Sequence, residues 1–337
     1  MSAFGVAFIG VGRMGITHLR NLSAIPDVRV VIVADAKLEA AKQGQAVARA
    51  ERATDDVEAA ITDPAVDAVV IVTPTPTHAH LIEVAANAGK AIWCEKPIAL
   101  DLEQTHRIVA LVNARGVPVQ IGFMRRFDPG YAAAKLKIEA GALGRIETFR
   151  ALSRDTYPPP LKFIERSGGI FLDMAVHDLD LARYLVGEVA EVQAWGATLI
   201  DERFVQADDV DTAVTLLRFE NGALGVVETS RRSAWGYDIR TEIAGAQGKL
   251  VVEAHQKTPL IFSREFGFEG DHFESFPDRF EAAYRLEMTA FFEALRSGRR
   301  PAPGPEDALE TLRLAIAATR SWHEGRAVRV QEIQAAN

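Results

Sequence analysis

Cysteine is almost absent. Among 337 residues there is one, Cys94, so no internal disulfide can form and a reducing compartment fits. Cys94 closes the apolar run AIWC, where a buried structural thiol is a better reading than a nucleophile. Positive charge is also in short supply. The chain has 38 Lys and Arg against 46 Asp and Glu, a net charge of −8. That balance argues against a nucleic-acid partner, although global charge reports on solubility more than on the chemistry of a site. Long hydrophobic runs are missing too. The opening MSAFGVAFIG has no basic segment, is broken by glycine, and falls well short of the about 20 residues that span a bilayer. No later run approaches that length, and the expectation is a soluble cytoplasmic protein with no membrane partner. Repeats and low-complexity tails are lacking. What is left is ordinary globular composition, 48% hydrophobic and 25% charged, at a length that suits two domains of roughly 150 residues.

The first part of the chain alternates β-branched apolar runs with helical patterns. Strands are expected at GVAFIG, VRVVIVAD, VDAVVIVT, KAIWC and VPVQIGF, with helices over 13–24, 36–50, 77–89 and 101–115. Such alternation, with strands apolar throughout, implies a doubly wound parallel sheet covered on both faces. After about Phe123 the pattern changes. Strand-like runs follow one another (RIETFRALSR, EVQAWGATLI, DVDTAVTLLRF, ALGVVETSRR, YDIRTEIAG, KLVVEA), punctuated by turns such as FENGALG. Helices are expected over 170–186, 279–297 and 305–323. The fold class is therefore α/β: a Rossmann domain over 1–122 and an α+β domain over 123–337 with a largely antiparallel open sheet. A flat sheet face left uncovered is expected to form a subunit interface, giving a homotetramer or a dimer.

GVGRMG places Gly10, Gly12 and Gly15 in G-x-G-x-x-G spacing. Alone the pattern is weak, but here it follows a strand and opens a helix, and Asp35 ends the next strand. That context is a dinucleotide-binding fingerprint. Gly10 permits the tight turn, Gly12 lets backbone approach a pyrophosphate, and Gly15 lets helix and strand pack closely. The helix N-terminus then faces the phosphates. Asp35 can accept hydrogen bonds from ribose hydroxyls and would repel a 2′-phosphate, so NAD is favoured over NADP; Lys37 keeps NADP open. TPTPTHAH follows the third strand, where Thr73 and Pro74 are placed to line a nicotinamide ribose. His78 and His80 are more simply read as histidines bonding nearby backbone. WCEKP puts Glu95 and Lys96 at the end of a strand, where Lys96 is either a surface charge or a donor that stabilises negative charge on a reacting oxygen.

In the second domain SGGIFLDMAVHDLDLARYL carries Asp173 and His177 four residues apart, on one face of a helix. By itself the pair reads as a histidine satisfied by its neighbour, as two metal ligands, or as a working pair. No third ligand is placed near it in sequence, so no metal is expected. Asp178 and Asp180 point elsewhere. Gly168 and Gly169 either permit close approach of substrate or start the helix.

Together, GVGRMG, Asp35, TPTPTHAH, CEKP, IGFMRRFDPGY and the Asp173/His177 helix resemble the Gfo/Idh/MocA oxidoreductase family over essentially the whole chain. Within it, GFMRRFD, GYDIRTEIAG and RFEAAYRLEMTAFFEAL are most similar to inositol 2-dehydrogenases. The resemblance implies that Lys96, Asp173 and His177 are catalytic and that Arg125, Asp155 and Tyr237 also contact substrate. Asp155 stands where inositol enzymes can carry asparagine. The implied cofactor-binding set is Gly10, Gly12, Arg13, Met14, Gly15, Asp35, Thr73, Pro74, Thr75, His78, Glu95, Lys96 and Met124.

The implied reaction is oxidation of a ring secondary hydroxyl of a cyclic polyol or sugar to a ketone, with NAD as cofactor; myo-inositol oxidised at carbon 2 is the leading substrate. An imidazole with an ordinary pKa of about 6.5 makes His177 the candidate base. A scyllo-inositol, aldose or sugar-acid dehydrogenase and a redox-neutral glycosidase with tightly held NAD are the alternatives. Arg125 and Arg126 would serve a carboxylate or phosphate, or Arg126 forms a salt bridge away from the site.

Overall fold

The computed structural model describes residues 3–253 and 256–335. Ala254, the last residue of the expected strand KLVVEA, lies outside them. The elements run β1 (Phe4–Ile9), α1 (Arg13–Ser23), β2 (Val28–Ala34), α2 (Leu38–Ala48), β3 (Arg52–Thr54), α3 (Val57–Thr62), β4 (Ala68–Ile71), α4 (His78–Asn87), β5 (Ala91–Glu95), α5 (Leu102–Arg115) and β6 (Val119–Gly122). There follow α6 (Pro129–Glu139), β7 (Ile146–Arg154), α7 (Leu161–Ser167), α8 (Val176–Leu185), β8 (Val189–Ala197), α9 (Arg203–Gln206), β9 (Thr212–Phe219), β10 (Leu224–Ser230), β11 (Asp238–Gly245) and β12 (Gly248–Val252). The chain ends in the hairpin β13 (Phe262–Arg264) and β14 (Gly267–Glu269), then α10 (Phe276–Arg279), α11 (Glu281–Arg296), α12 (Pro305–Glu324) and β15 (Val328–Arg329). Two compact units result. The first comprises Met1–Phe127, Ala282–Glu310 and Ala335–Asn337; the second comprises Asp128–Glu281 and Thr311–Gln334.

The first unit is built on a six-stranded sheet in the order β3-β2-β1-β4-β5-β6. Every neighbouring pair is parallel. All of β4, and β1 beyond Phe4, is buried, as a sheet covered on both faces requires. The strand order reverses between β1 and β4, and ligands of such sheets bind in the crevice outside the carboxyl ends at that point. α5 starts at Asp101, whose carboxylate accepts the Gln104 N–H, and stops at Gly116 in the left-handed region, the two caps expected of it. β3 and α3 are absent from the sequence expectation. β3 is three residues long, RAT, with none fully buried, so no apolar run announces it. Residues 282–310, expected in the second domain, also fold here. Met288, Phe291 and Phe292 of α11 are buried in one cluster with Val6, Phe8, Leu19, Val70 and Trp93.

The second unit holds a seven-stranded sheet in the order β12-β11-β7-β10-β9-β8-β15. It is largely antiparallel, as expected, with one parallel pair, β7–β10. Strand β9 alternates strictly, with Ala213, Thr215, Leu217 and Phe219 buried and Val214, Leu216 and Arg218 exposed. α6 and α8 pack on the buried side, where Phe149 meets Phe219 edge-on at 6.3 Å. Trp195, Val214, Leu216, Leu224 and Val251 are exposed on the strands. FENGALG turns β9 into β10, with Gly222 at φ +87°. EVQAWGATLI leaves the ladder after Ala197. The N–H groups of Leu199, Ile200 and Asp201 are taken instead by the Asp211 carboxylate, at 2.8–3.0 Å. Among the described residues no helix is long and apolar enough to cross a membrane.

Because Phe291 is fully buried in the first unit's core, Phe291→Ala should destabilise the protein by about 3–5 kcal/mol. Urea unfolding measures it; a loss under about 0.5 kcal/mol, the scale of an ordinary surface change, would show that α11 contributes little to that core.

Candidate functional site

The residues expected to carry chemistry fall into two groups, one in each unit. In the first unit the turn after β1 is set by close backbone contacts. Gly10 has φ +97°, and a Cβ there would stand 2.6 Å from the Val72 carbonyl oxygen and 2.8 Å from the Thr73 nitrogen. A Cβ at Gly15 would stand 2.2 Å from the Gly10 carbonyl oxygen. Neither position admits a side chain. Gly12 differs: nothing lies within 4 Å of its missing Cβ. It precedes α1 in extended conformation, no side chain caps the helix, and no acidic residue lies in the first turn. The first N–H groups of a helix have no carbonyl of a preceding turn to meet, and the helix dipole favours an anion beside them. This open, N–H-lined end fits a pyrophosphate.

Asp35 follows β2. Its two carboxylate oxygens accept the N–H groups of Val11 (2.8 Å) and Lys37 (2.9 Å). That fixes the carboxylate beside the glycine turn while a carboxylate's further lone pairs can serve ribose hydroxyls. Past β4, the Thr77 hydroxyl donates to Thr73 Oγ1 at 2.6 Å. His78 is buried, with Nδ1 2.8 Å from the Pro97 carbonyl oxygen and Nε2 2.7 Å from that of Thr73. Burial pushes its pKa down against the pull of the two carbonyls. The ring braces the loop after β4 against the loop after β5. His80 is exposed and pairs with Glu58 at 2.8 Å. Both histidines therefore satisfy structural partners.

Glu95 ends β5 and Lys96 follows it. One Glu95 oxygen meets Nε2 of His18 at 2.8 Å; the other accepts the Lys96 N–H at 3.2 Å. His18 is fully buried, between the rings of Trp93 and Tyr284. It escaped the sequence reading because a lone histidine on the apolar face of α1 carries no motif. Cys94 is a buried free thiol whose pKa burial raises well above the ordinary value, in line with a structural role. Met124 and Arg125 are buried in the 3-10 turn Met124–Phe127. Arg126 forms a salt bridge to Asp307 at 3.0 Å, the second of the two roles open to it.

In the second unit Asp173 and His177 lie one turn apart, but not on a uniform α-helix. Phe171–Ala175 is a π-helical turn that runs into α8, a local widening common at functional sites. The preceding chain is tightly set. Gly168, φ +82°, ends α7. Gly169, φ +86°, lies against Asp209, whose Oδ1 would be 3.0 Å from a Cβ there and accepts the Ile170 N–H at 2.9 Å. The two glycines thus serve the turn and the approach of Asp209. Asp178 and Asp180 are buried and take hydroxyls of Ser153 and Thr311. Tyr237 is buried at the start of β11, edge-on to Phe280.

The residue that unites this half is Arg231, which no motif singled out. Its guanidinium donates to Asp155 Oδ2 at 3.1 Å and to Asp173 Oδ2 at 2.8 Å. Its side chain is 4% exposed. Burial alone would lower its pKa, but Asp173 and Asp155 raise it above the ordinary value. Asp209, close enough to feel both Arg231 and Asp173, is pushed up chiefly by burial. Among the described residues no group of three or more His, Cys, Asp or Glu is arranged to hold a metal.

A glycine turn at the switch point of a parallel sheet, with an acidic residue after β2, defines a dinucleotide-binding α/β unit; the second unit adds an acid–histidine pair on an α+β scaffold. Residues 4–123 match the family model described as "Oxidoreductase family, NAD-binding Rossmann fold", and residues 135–330 match that of the C-terminal alpha/beta domain of the same family. The chain belongs to the Gfo/Idh/MocA oxidoreductase family and is an NAD-dependent oxidoreductase acting on CH–OH groups. It is 39% identical to the myo-inositol 2-dehydrogenase of Thermotoga maritima (strain ATCC 43589 / DSM 3109 / JCM 10099 / NBRC 100826 / MSB8), across 97% of this chain and 99% of that one. It is 40% identical to the scyllo-inositol 2-dehydrogenase (NAD(+)) of Bacillus subtilis (strain 168), across 96% and 95%. Among solved structures, the scyllo-inositol dehydrogenase of Lactobacillus casei with bound NAD(H) and scyllo-inositol superposes with a TM-score of 0.92, at 28% identity, across 98% of this chain and 100% of that one.

The two glycines separate folding from binding. Gly12→Ala should leave thermal stability unchanged and weaken NAD at least about tenfold, or about 1.4 kcal/mol. Gly10→Ala should lower the melting temperature. Calorimetric NAD titration and thermal melts check both; full NAD affinity in Gly12→Ala would place the pyrophosphate elsewhere.

Proposed function

We propose that the protein is an inositol 2-dehydrogenase: it oxidises a ring secondary hydroxyl of a cyclic polyol, foremost myo-inositol at carbon 2, to the ketone. The observation that carries this reading is the second unit's cluster, in which His177 stands one turn from a carboxylate held by a buried arginine. The names of the relatives support the substrate class. Lys96, Asp173 and His177 are the catalytic residues of this reading. His177 accepts the hydroxyl proton as the carbon is oxidised, a step that suits an imidazole near neutral pH. Lys96 donates to the reacting oxygen and stabilises the charge that develops there. Asp173 accepts a hydrogen bond from a neighbouring hydroxyl. Asp155, Arg125 and Tyr237 orient the remainder of the ring, Arg125 and Tyr237 from largely buried positions. Bound NAD supplies the hydride acceptor. Gly10, Gly12, Arg13, Met14 and Gly15 hold its pyrophosphate and Asp35 its adenosine ribose. Thr73, Pro74, Thr75, Glu95 and Met124 line the nicotinamide end, with His78 bracing the loops beneath them.

The exposed Trp195, Val214, Leu216, Leu224 and Val251 support a further element of the reading. An uncovered sheet face carrying large apolar side chains suits a second copy of the chain, which gives a homotetramer or a dimer.

The test is a panel of myo-inositol, scyllo-inositol, glucose epimers and uronic acids with NAD and NADP, followed by NADH absorbance. Net NADH formation with an inositol and a preference for NAD are expected. Lack of turnover on every cyclic polyol and sugar would refute the reading. Lys96→Ala and His177→Ala should each lower kcat by at least about 100-fold, the scale of general acid–base effects, with NAD binding retained. Wild-type turnover in His177→Ala would remove the base assignment.

A further inference from the structure

We infer that Arg231 is a positioning residue that holds Asp155 and Asp173 as one paired acceptor for two hydroxyls of a neutral substrate ring. The inference rests on the function proposed above. Asp155 comes from the end of β7 and Asp173 from the π turn before α8, 18 positions apart in the sequence. Each gives one carboxylate oxygen to a different terminal nitrogen of the same guanidinium, at 3.1 and 2.8 Å. Those nitrogens belong to one planar fork, so the two bonds fix the carboxylates relative to each other as well as to the arginine. Exposure divides the roles. The Arg231 side chain is 4% exposed, whereas Asp155 keeps 26% and Asp173 19%. The cation lies behind, and the anions face outward. A carboxylate accepts up to about four hydrogen bonds, so the bond to Arg231 does not by itself fill either one.

Stability alone does not account for the arrangement. Replacing a buried ion pair by well-packed apolar side chains is often neutral or favourable, so the ionic cluster points to a geometric use. Charge then selects the substrate. Two carboxylates against one guanidinium leave the cluster net negative, with Asp209 as a third acid behind it. At this pair, as distinct from the parts of the substrate met by Lys96 and Arg125, hydroxyl donors are attracted and a carboxylate or phosphate is repelled. The chemistry fits a neutral ring with two hydroxyls within reach of the pair, and it disfavours a sugar acid or sugar phosphate.

Steady-state kinetics of the wild type, Arg231→Lys, Arg231→Met, Asp155→Asn and the double variant D155N/R231M test the pairing. The substrate is whichever neutral cyclic polyol, sugar or uronate the wild type oxidises fastest with NAD. A neutral compound should win. Arg231→Met should lower kcat/KM for it at least about 30-fold, with KM raised and NAD affinity unchanged, the split that separates substrate positioning from general misfolding. Arg231→Lys should lose at least about tenfold, because an ammonium does not fork between two carboxylates. The double variant should fall within about threefold of Arg231→Met, because both changes break one unit and their effects do not add. A uronate as the best substrate, Arg231→Met within about threefold of wild type, or losses that multiply in the double variant would overturn the pairing. If Arg231→Met does not fold, Arg231→Lys within about threefold of wild type overturns it. A wild type that oxidises no compound in the panel overturns the functional reading, and the pairing with it; the other failures leave that reading standing.

Discussion

A buried guanidinium cannot be left alone. Removing one partner of a buried ion pair typically costs about 3–5 kcal/mol, and Arg231 has two such partners. Its place in the chain multiplies the consequence. The Arg231 N–H donates to the Asp211 carbonyl, just before β9, and the Asp155 N–H donates to the Ser230 carbonyl at the end of β10. The Asp211 carboxylate in turn gathers the N–H groups of Leu199, Ile200 and Asp201. The ends of β7 and β10, the start of β9, the loop after β8 and the π turn that bears Asp173 are therefore tied to one cation and its neighbours. On the proposed reading the placing of Asp155 and Asp173 depends on that tie more than on any single stretch of the sheet.

The first unit solves a similar problem with backbone. Gly10 and Gly15 are needed because carbonyl oxygens occupy the space their side chains would take, and the same closeness brings the ends of β1 and β4 together at the switch point. Two buried histidines finish the job from behind. His78 joins the Thr73 and Pro97 carbonyls, and His18 holds the Glu95 carboxylate against which the Lys96 backbone rests. Neither imidazole needs to touch a ligand to matter. Each fixes a loop whose residues are proposed to meet the cofactor, and a loop held from beneath presents its groups with little entropy left to lose.

What could be read from sequence follows from this difference. The glycine fingerprint, Asp35 and the apolar strands of the first unit are local patterns with local causes, and they lie where the pattern puts them. β3 was illegible because three half-exposed residues are held by a neighbouring strand, with no pattern of their own. The periodicity of α11 showed that Met288, Phe291 and Phe292 share a face, but periodicity says that a face is buried, not against what. Nothing in that periodicity assigns residues 282–310 to one unit or the other. The Asp173/His177 spacing was legible, whereas the π turn, set by Gly169 and the Asp209 contact, depends on a residue 40 positions from Gly169. Arg231, in SRRSAW, sits at no motif; only the folded chain shows which of its two neighbouring arginines is buried among acids and which, Arg232, is not.

The same contrast bears on how substrate choice can vary while the fold does not. On the proposed reading cofactor recognition rests largely on glycines, N–H groups and a helix end, which any relative keeping the turn also keeps. On the same reading substrate recognition rests on side chains at the ends of β7 and β10 and on one helical turn, which lie just outside the strand ladders. Relatives named for myo-inositol and for scyllo-inositol stand at 39% and 40% identity to this chain, so overall identity does not rank the two isomers. They differ in the orientation of one hydroxyl on the ring. A fixed pair of acceptors responds to that difference directly, since a hydroxyl pointing away from its carboxylate leaves a partly buried acceptor unmet, a loss of about 1–3 kcal/mol. On the proposed reading isomer choice depends on how rigidly Asp155 and Asp173 are held, and the fork of a buried arginine holds them more rigidly than two independent side chains could.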